Sequence, residues 1–174
     1  MTGAVFLEGD DINLRTIEEE DLEFLRDGIN DPEIRKNLTA REPVNMKQER
    51  GFFENVISDD SDVHLAICRD KEMIGIVSLE ENEDEIRVAE IGIWIHTDHH
   101  GNGYGTEAAE LITEYGFSEL NYHRIMARAH EENSGSQRIW EKLGFEKEGE
   151  LREKFYMNGE FIDGYIYGIL EYEW

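Results

Sequence analysis

A single cysteine, Cys68, occurs in the 174 residues. That excludes an intramolecular disulfide and a cysteine-rich zinc site. Long apolar runs are missing as well, since no stretch of 18 residues is apolar enough to read as a membrane-spanning helix. The opening Met1-Thr2-Gly3-Ala4-Val5 leads into acidic sequence and lacks the basic-plus-apolar pattern of a secretory signal. Positive charge is scarce. Seventeen Lys and Arg stand against 41 Asp and Glu, a net charge of −24, and just 6 of the seventeen are lysine. Such an excess repels nucleic acid and anionic membranes, so neither is expected as a partner. An acid-rich, lysine-poor surface is also what a cytoplasm of very high salt favours, because salt screens the self-repulsion. The expectation is a cytoplasmic, halophilic protein. Global acidity therefore carries no argument for a cationic substrate.

What the chain does contain is enough apolar sequence, 39%, for one domain with a full core across residues 1–174. Val5–Glu8 and Ile12–Arg15 read as a strand pair around Gly9-Asp10-Asp11. Thr16 and Glu19 fit a capping box for a helix carrying Leu22, Phe24, Leu25 and Ile29 on one face. Asp31-Pro32 starts a short piece, Glu33–Leu38. After the loop Arg41-Glu42-Pro43-Val44, Asn45 caps a helix to about Ile57. Three strands joined by short connections follow: His64–Arg69, Met73–Leu79 and, past a charged turn at Glu80–Glu85, Ile86–Ile95. The order then changes to helix Tyr104–Leu120, strand Arg124–His130, helix Ser134–Leu143 and a closing hairpin around Asn158-Gly159. The sum is an α+β domain with a mixed sheet.

Between Ile95 and the helix at Tyr104 lies His96-Thr97-Asp98-His99-His100-Gly101-Asn102-Gly103. A glycine loop that opens into a helix exposes backbone N–H groups at the positive end of the helix dipole, which suits phosphate oxygens. A nucleotide-binding P-loop needs Gly-Lys-Ser/Thr, and no lysine lies near. Gly103-Tyr104-Gly105-Thr106-Glu107-Ala108 matches the dinucleotide pattern, but five polar residues separate Ile95 from Gly101. The antiparallel strands upstream also leave no room for a six-stranded parallel sheet.

His100-Gly101-Asn102-Gly103-Tyr104-Gly105-Thr106 resembles the acetyl-CoA motif of the GNAT N-acetyltransferases, Gln/Arg-x-x-Gly-x-Gly/Ala. About thirty residues on, Asn133-Ser134-Gly135-Ser136-Gln137-Arg138-Ile139-Trp140-Glu141-Lys142-Leu143-Gly144-Phe145 resembles the second motif of that family. Glu148-Gly149-Glu150-Leu151-Arg152 and Asn158-Gly159-x-x-x-Asp163 are similar to the branch of ribosomal-protein N-terminal and spermidine acetyltransferases. The resemblance implies a mostly antiparallel sheet flanked by helices. In it the Ile86–Ile95 and Arg124–His130 strands splay apart near a bulge, with pantetheine in the opening. It further implies acetyl-CoA as cosubstrate, a primary amine as acceptor (a protein N-terminus or a small amine such as a polyamine), and a homodimer as one possible assembly. Backbone of Ile93, Trp94 and Ile95 would then pair with pantetheine amides, and amides from Gly101 to Thr106 would hold the pyrophosphate, with His100 beside it. Asn133 would cap its helix and contact pantetheine. A catalytically silent acyl-CoA-binding module is the alternative.

Acetyl transfer to an amine with a pKa of about 10.4 needs a base, an oxyanion donor and, for the thiolate, a proton source. Glu90, a carboxylate inside an apolar strand near the opening, is the candidate base, with a pKa raised by burial. The oxyanion donor implied by the resemblance is a backbone N–H near Ile95. Trp140 stands where the family often has tyrosine and cannot serve as an acid, so it packs on cofactor or core. Ser136 is the nearer hydroxyl. His96, His99 and His100 lack a metal-ligand framework, and no metal is expected. Cys68 lies on another strand with no paired histidine, which disfavours a covalent route. Lys142 is within reach of a CoA phosphate, and Tyr156, Asp163, Tyr165 and Tyr167 are candidates for the acceptor pocket.

Overall fold

The computed structural model describes residues 3–38, 42–58, 62–82 and 85–174. Met1 and Thr2, Arg41 of the expected loop, and Glu83-Asp84 of the expected charged turn lie outside them. Eight strands form one sheet: β1 Val5–Glu8, β2 Asn13–Arg15, β3 Val63–Arg69, β4 Glu72–Glu81, β5 Val88–Ile95, β6 Arg124–His130, β7 Glu146–Met157 and β8 Glu160–Leu170. Their order is β1-β2-β3-β4-β5-β6-β8-β7, and every neighbour is antiparallel except β5 and β6. The parallel pair is joined through α4, Tyr104–Ser118, as a parallel connection requires. Asn158 and Gly159 both have positive φ, the geometry of the two-residue hairpin that their sequence predicts.

Two apolar clusters lie on opposite faces of the sheet. Helix α4 presents Tyr104, Ala108 and Ile112 at four-residue spacing, with α5, Ser134–Lys142, beside it. These residues and Trp140 pack on Ile67, Val77, Ala89, Ile91, Ile95 and Ala127. On the other face, α1 (Leu22–Asn30) and α3 (Met46–Phe52) cover Ala66, Cys68, Met73 and Ile76. Trp94 crosses to this second face, stacks on Phe24 with centroids 5.7 Å apart, and lies against Gly28. A Cβ at Gly28 would stand 2.4 Å from the indole, so glycine is what lets α1 approach β5 there. Helix α2, Pro32–Arg35, is capped by Asp31, whose carboxylate accepts the Glu33 N–H at 2.7 Å. Asn45 likewise accepts from Lys47 and Gln48 at the start of α3.

One cap differs from the sequence reading. Thr16 does not cap α1: its hydroxyl donates to Glu18 and accepts the Ala4 N–H. Ile17 is buried, so the chain stays extended for one more step. The turn then starts at Glu18, whose N–H donates to Asp21.

The feature that positions the site is a fork. Strands β5 and β6 pair from Val88↔Arg124 to Ile91↔Ala127 and then part. Beyond that point Gly92–Ile95 stays with β4, while Arg128–His130 stays with β8. The parting needs no bulge in β5, contrary to expectation, because its register against β4 runs unbroken from Glu81↔Ala89 to Gly75↔Ile95.

Candidate active site

Backbone chemistry makes the fork polar. The His96 N–H donates to the Ile74 carbonyl of β4 at 2.8 Å. Backbone polar groups alternate sides along a strand, so those of Ile93 and Ile95 face the opening instead. One of them is already used: the His100 imidazole donates its Nε2–H to the Ile95 carbonyl at 2.8 Å. That bond fixes the end of β5 to the start of the glycine loop.

The loop then turns at Gly101 (φ +78°) and Gly103 (φ +90°), where an added Cβ would meet no atom within 4 Å. Gly103 is the cap of α4, and its carbonyl accepts from Thr106 and Glu107. Among the described residues, the amides of 101–105 meet no backbone acceptor. They stand free at the positive end of a 15-residue helix. Gly103→Ala is expected to cost about 1–2 kcal/mol in left-handed backbone strain. It should also weaken binding of a phosphorylated ligand, tested with CoA by calorimetry, because the strained residue sits in the loop whose free amides form the anion cradle.

A cavity of about 450 Å³ extends from this cradle to the fork and on to Ile34 of α2 and to Asn37 and Leu38 just past it. Its walls include His99, His100, Gly101, Gly103, Tyr104, Gly105 and Thr106 from the loop and helix. Ile93, Trp94 and Ile95 come from β5, and Asn133, Gly135, Ser136, Arg138, Ile139 and Lys142 from α5. Among the described residues, none that lines it is acidic, in a chain with 41 Asp and Glu. Arg138 and Lys142, four residues apart on one face of α5, bring two positive charges instead. Such a cleft is built for a polyanion with an uncharged arm.

Two residues expected to bind the ligand do not line the cavity. Asn102 turns back into its own loop, its amide donating to the carbonyls of His99 and His100 at 3.0 and 3.2 Å. Trp140 is 1% exposed and belongs to the core beside Phe145. Its indole N–H donates to Ser136 Oγ at 3.0 Å. Asn133 caps α5 by accepting the Ser136 N–H at 3.1 Å. The Ser136 hydroxyl is thus fixed as an acceptor from behind, with its own proton left to donate.

Glu90 does not line the cavity either. It lies on the α1–α3 face, on the paired rungs just before the fork, opposite Glu80 on β4 and Met126 on β6. Its carboxylate, 33% exposed, is 2.9 Å from the Arg128 guanidinium. Burial raises its pKa most, Arg128 lowers it, and Glu80 raises it again. Sequence reasoning missed Arg128, although a charge in the alternating run Arg124-Ile-Met-Ala-Arg128-Ala-His130 was a usable signal. It also missed Arg138, and the α2 end of the cavity, which no local pattern marks.

Of the acceptor candidates, Tyr167 is in the core and Tyr165 lies under Lys147, 3.3 Å from its ring centroid. Asp163 accepts the Glu153 N–H, and Tyr156 packs on Phe161 near the hairpin tip. None of the four lines the cavity. Among the described residues, no three His, Cys, Asp or Glu side chains are grouped to hold a metal, and no helix is long and apolar enough to cross a membrane.

A family model for the acetyltransferase (GNAT) domain matches residues 11–146. The chain belongs to the GNAT acetyltransferases. This GNAT chain is 31% identical over 150 residues to the spermidine N(1)-acetyltransferase of Escherichia coli K12, covering 86% of itself and 81% of that protein. It is 30% identical over 168 residues to an uncharacterized N-acetyltransferase, p20, of Bacillus licheniformis, covering 94% of each. Among solved structures, it superposes with TM-score 0.88 on the spermidine N-acetyltransferase of Vibrio cholerae in complex with CoA and spermine. That match has 27% identity and covers 95% of this chain and 98% of the other.

Proposed function

We infer that the protein moves the acetyl group of acetyl-CoA to a primary amine by direct attack, with a polyamine as acceptor. The observation that carries this reading is the cavity, which among the described residues is free of carboxylates in a highly acidic chain and runs from a helix N-terminus into a strand fork. Acetyl-CoA supplies an acyl group activated as a thioester. The amides of Gly101–Gly105 would hold its pyrophosphate, with His100 and Thr106 beside them. Arg138 and Lys142 would neutralise phosphate charge, and the backbone of Ile93 and Ile95, together with Asn133, would meet the pantetheine amides. Trp94 lies between Ile93 and Ile95 with its backbone polar groups turned to β4 and its indole committed to α1.

The acceptor nitrogen arrives protonated and must lose a proton before it can attack. Glu90 takes that proton, directly or through a water. Attack on the thioester carbon forms the carbon–nitrogen bond as the carbon–sulfur bond breaks. Ser136 passes a proton to the leaving sulfur and regains one from the nitrogen. A cationic acceptor is favoured by two features. One is the spermidine activity named for the Escherichia coli relative. The other is a second cavity against α1, lined by Glu20, Glu23, Asp27 and Asp31 and bordered by Phe24, on which Trp94 stacks.

The test is thiol release from acetyl-CoA with spermidine, spermine and N-terminal peptides, in molar salt so that the −24 charge is screened. Release with the polyamines is the expected result. Release with peptides alone would overturn the acceptor assignment. CoA binding without turnover would favour the silent acyl-CoA module, and no CoA binding would overturn both.

A further inference from the structure

Glu80 and Glu90 are directly opposite each other on β4 and β5, on the same face and beside the fork. Like charges in that position repel, and a cation is needed to hold them. The cation present is Arg128, 2.9 Å from Glu90 and 49% exposed. It stands one residue past Ala127, the last β6 residue paired with β5, so the ion pair lies beside the mouth of the opening. The other neighbours do not replace it. The Ser78 hydroxyl donates to Glu80 at 2.9 Å, and Gly92, next on this face of β5, has no side chain. His64, cross-strand from Ser78, is buried, and its Nε2 has no hydrogen-bond partner among the described residues. Burial drives its pKa down, against the pull of Glu80 and Asp62, which favours its neutral form.

We propose that Arg128 is a resident stand-in for the acceptor: its guanidinium holds the Glu90 carboxylate, beside Glu80, until a protonated amine displaces it. This rests on the acetyltransferase reading above. Arg128 thereby acts as a positioning residue. It favours the ionised form of Glu90 in the amine-free protein, against burial and Glu80, and it selects acceptors that arrive as cations, since a neutral amine cannot take its place. Once Arg128 has left, Glu90 faces the ammonium it is to deprotonate. Arg128 is long, half exposed and on the strand edge of the opening, so it can swing into solvent without disturbing the core.

The experiment uses Arg128→Met, which keeps length without charge, Arg128→Lys, and Arg128→Met combined with Glu90→Gln. Spermidine affinity is measured by equilibrium dialysis in the presence of CoA, independently of turnover, and kcat and KM are measured across pH. Arg128→Met is expected to tighten spermidine binding about two- to fivefold, the strength of a half-exposed ion pair. The acid limb of kcat/KM should move to higher pH, because Glu90 loses the charge that holds its pKa down. Arg128→Lys should restore both. In the Glu90→Gln background the gain in affinity should vanish. Unchanged or weaker spermidine binding in Arg128→Met, or a gain that persists without the Glu90 carboxylate, overturns the proposal. If the wild-type protein acetylates no amine, the catalytic reading fails on its own, while the dialysis series still decides whether Arg128 and spermidine compete.

Discussion

Glu90→Gln is expected to lower kcat/KM for the amine by about 10²–10⁴-fold, the usual contribution of a positioned general base. CoA affinity should stay near wild type, because Glu90 does not line the cavity that would hold it. In the wild-type protein kcat/KM should rise with pH through the Glu90 pKa, since the base works deprotonated. Burial places that pKa above the ordinary carboxylate value, with Arg128 opposing the shift and Glu80 adding to it. In Glu90→Gln this limb should disappear. Stability offers a second readout. A carboxyl whose pKa is raised on folding holds more protons in the native than in the unfolded state between its two pKa values. Its contribution to stability therefore falls as pH rises through that window. Glu90→Gln removes this slope, so the variant should gain on the wild type as pH rises through it. An unchanged rate with an unchanged pH profile would remove Glu90 from the mechanism.

Trp140→Ala should have the largest effect on folding. The side chain is 1% exposed and packs on Phe145 within the cluster beneath α4 and α5. Truncating a buried aromatic of this size costs about 3–5 kcal/mol, a large share of the roughly 5–15 kcal/mol that holds a domain together. Urea denaturation should show this as a much lower midpoint. Trp140→Phe keeps most of the volume and loses the N–H donated to Ser136, a net loss of about 0.5–1.5 kcal/mol. Its CoA affinity should remain close to wild type. A folded Trp140→Phe protein that no longer bound CoA would return Trp140 to a binding role.

The caps and the tryptophan teach different things about reading a chain. Trp140 is recognisable in the sequence as a departure from the family pattern, but whether it faces ligand or core depends on how α5 rotates against the sheet. That rotation is set by Tyr104, Ala108, Ile112 and Ile139 packing together, which no local spacing encodes. Thr16 is a sound local cap that loses to the burial of Ile17. Local cap signals hold where nothing competes: Asp31, Asn45 and Asn133 all cap the helices that follow them.

Sequence alone determined the element order, the hairpin turn, the glycine loop at a helix start and the membership of a family, because each depends on residues adjacent along the chain. Backbone conformation and hydrogen bonding at a cap or turn are local, and so they are written locally. The family resemblance implied that β5 and β6 part, but tertiary structure alone decided where they part, without a bulge in β5, and with it the charge pattern of the site. Arg138 and Lys142 reach the cavity while its walls hold no carboxylate among the described residues, and Arg128 meets Glu90 from 38 residues away. Electrostatic partners are chosen by distance through space, which the order of the chain does not state.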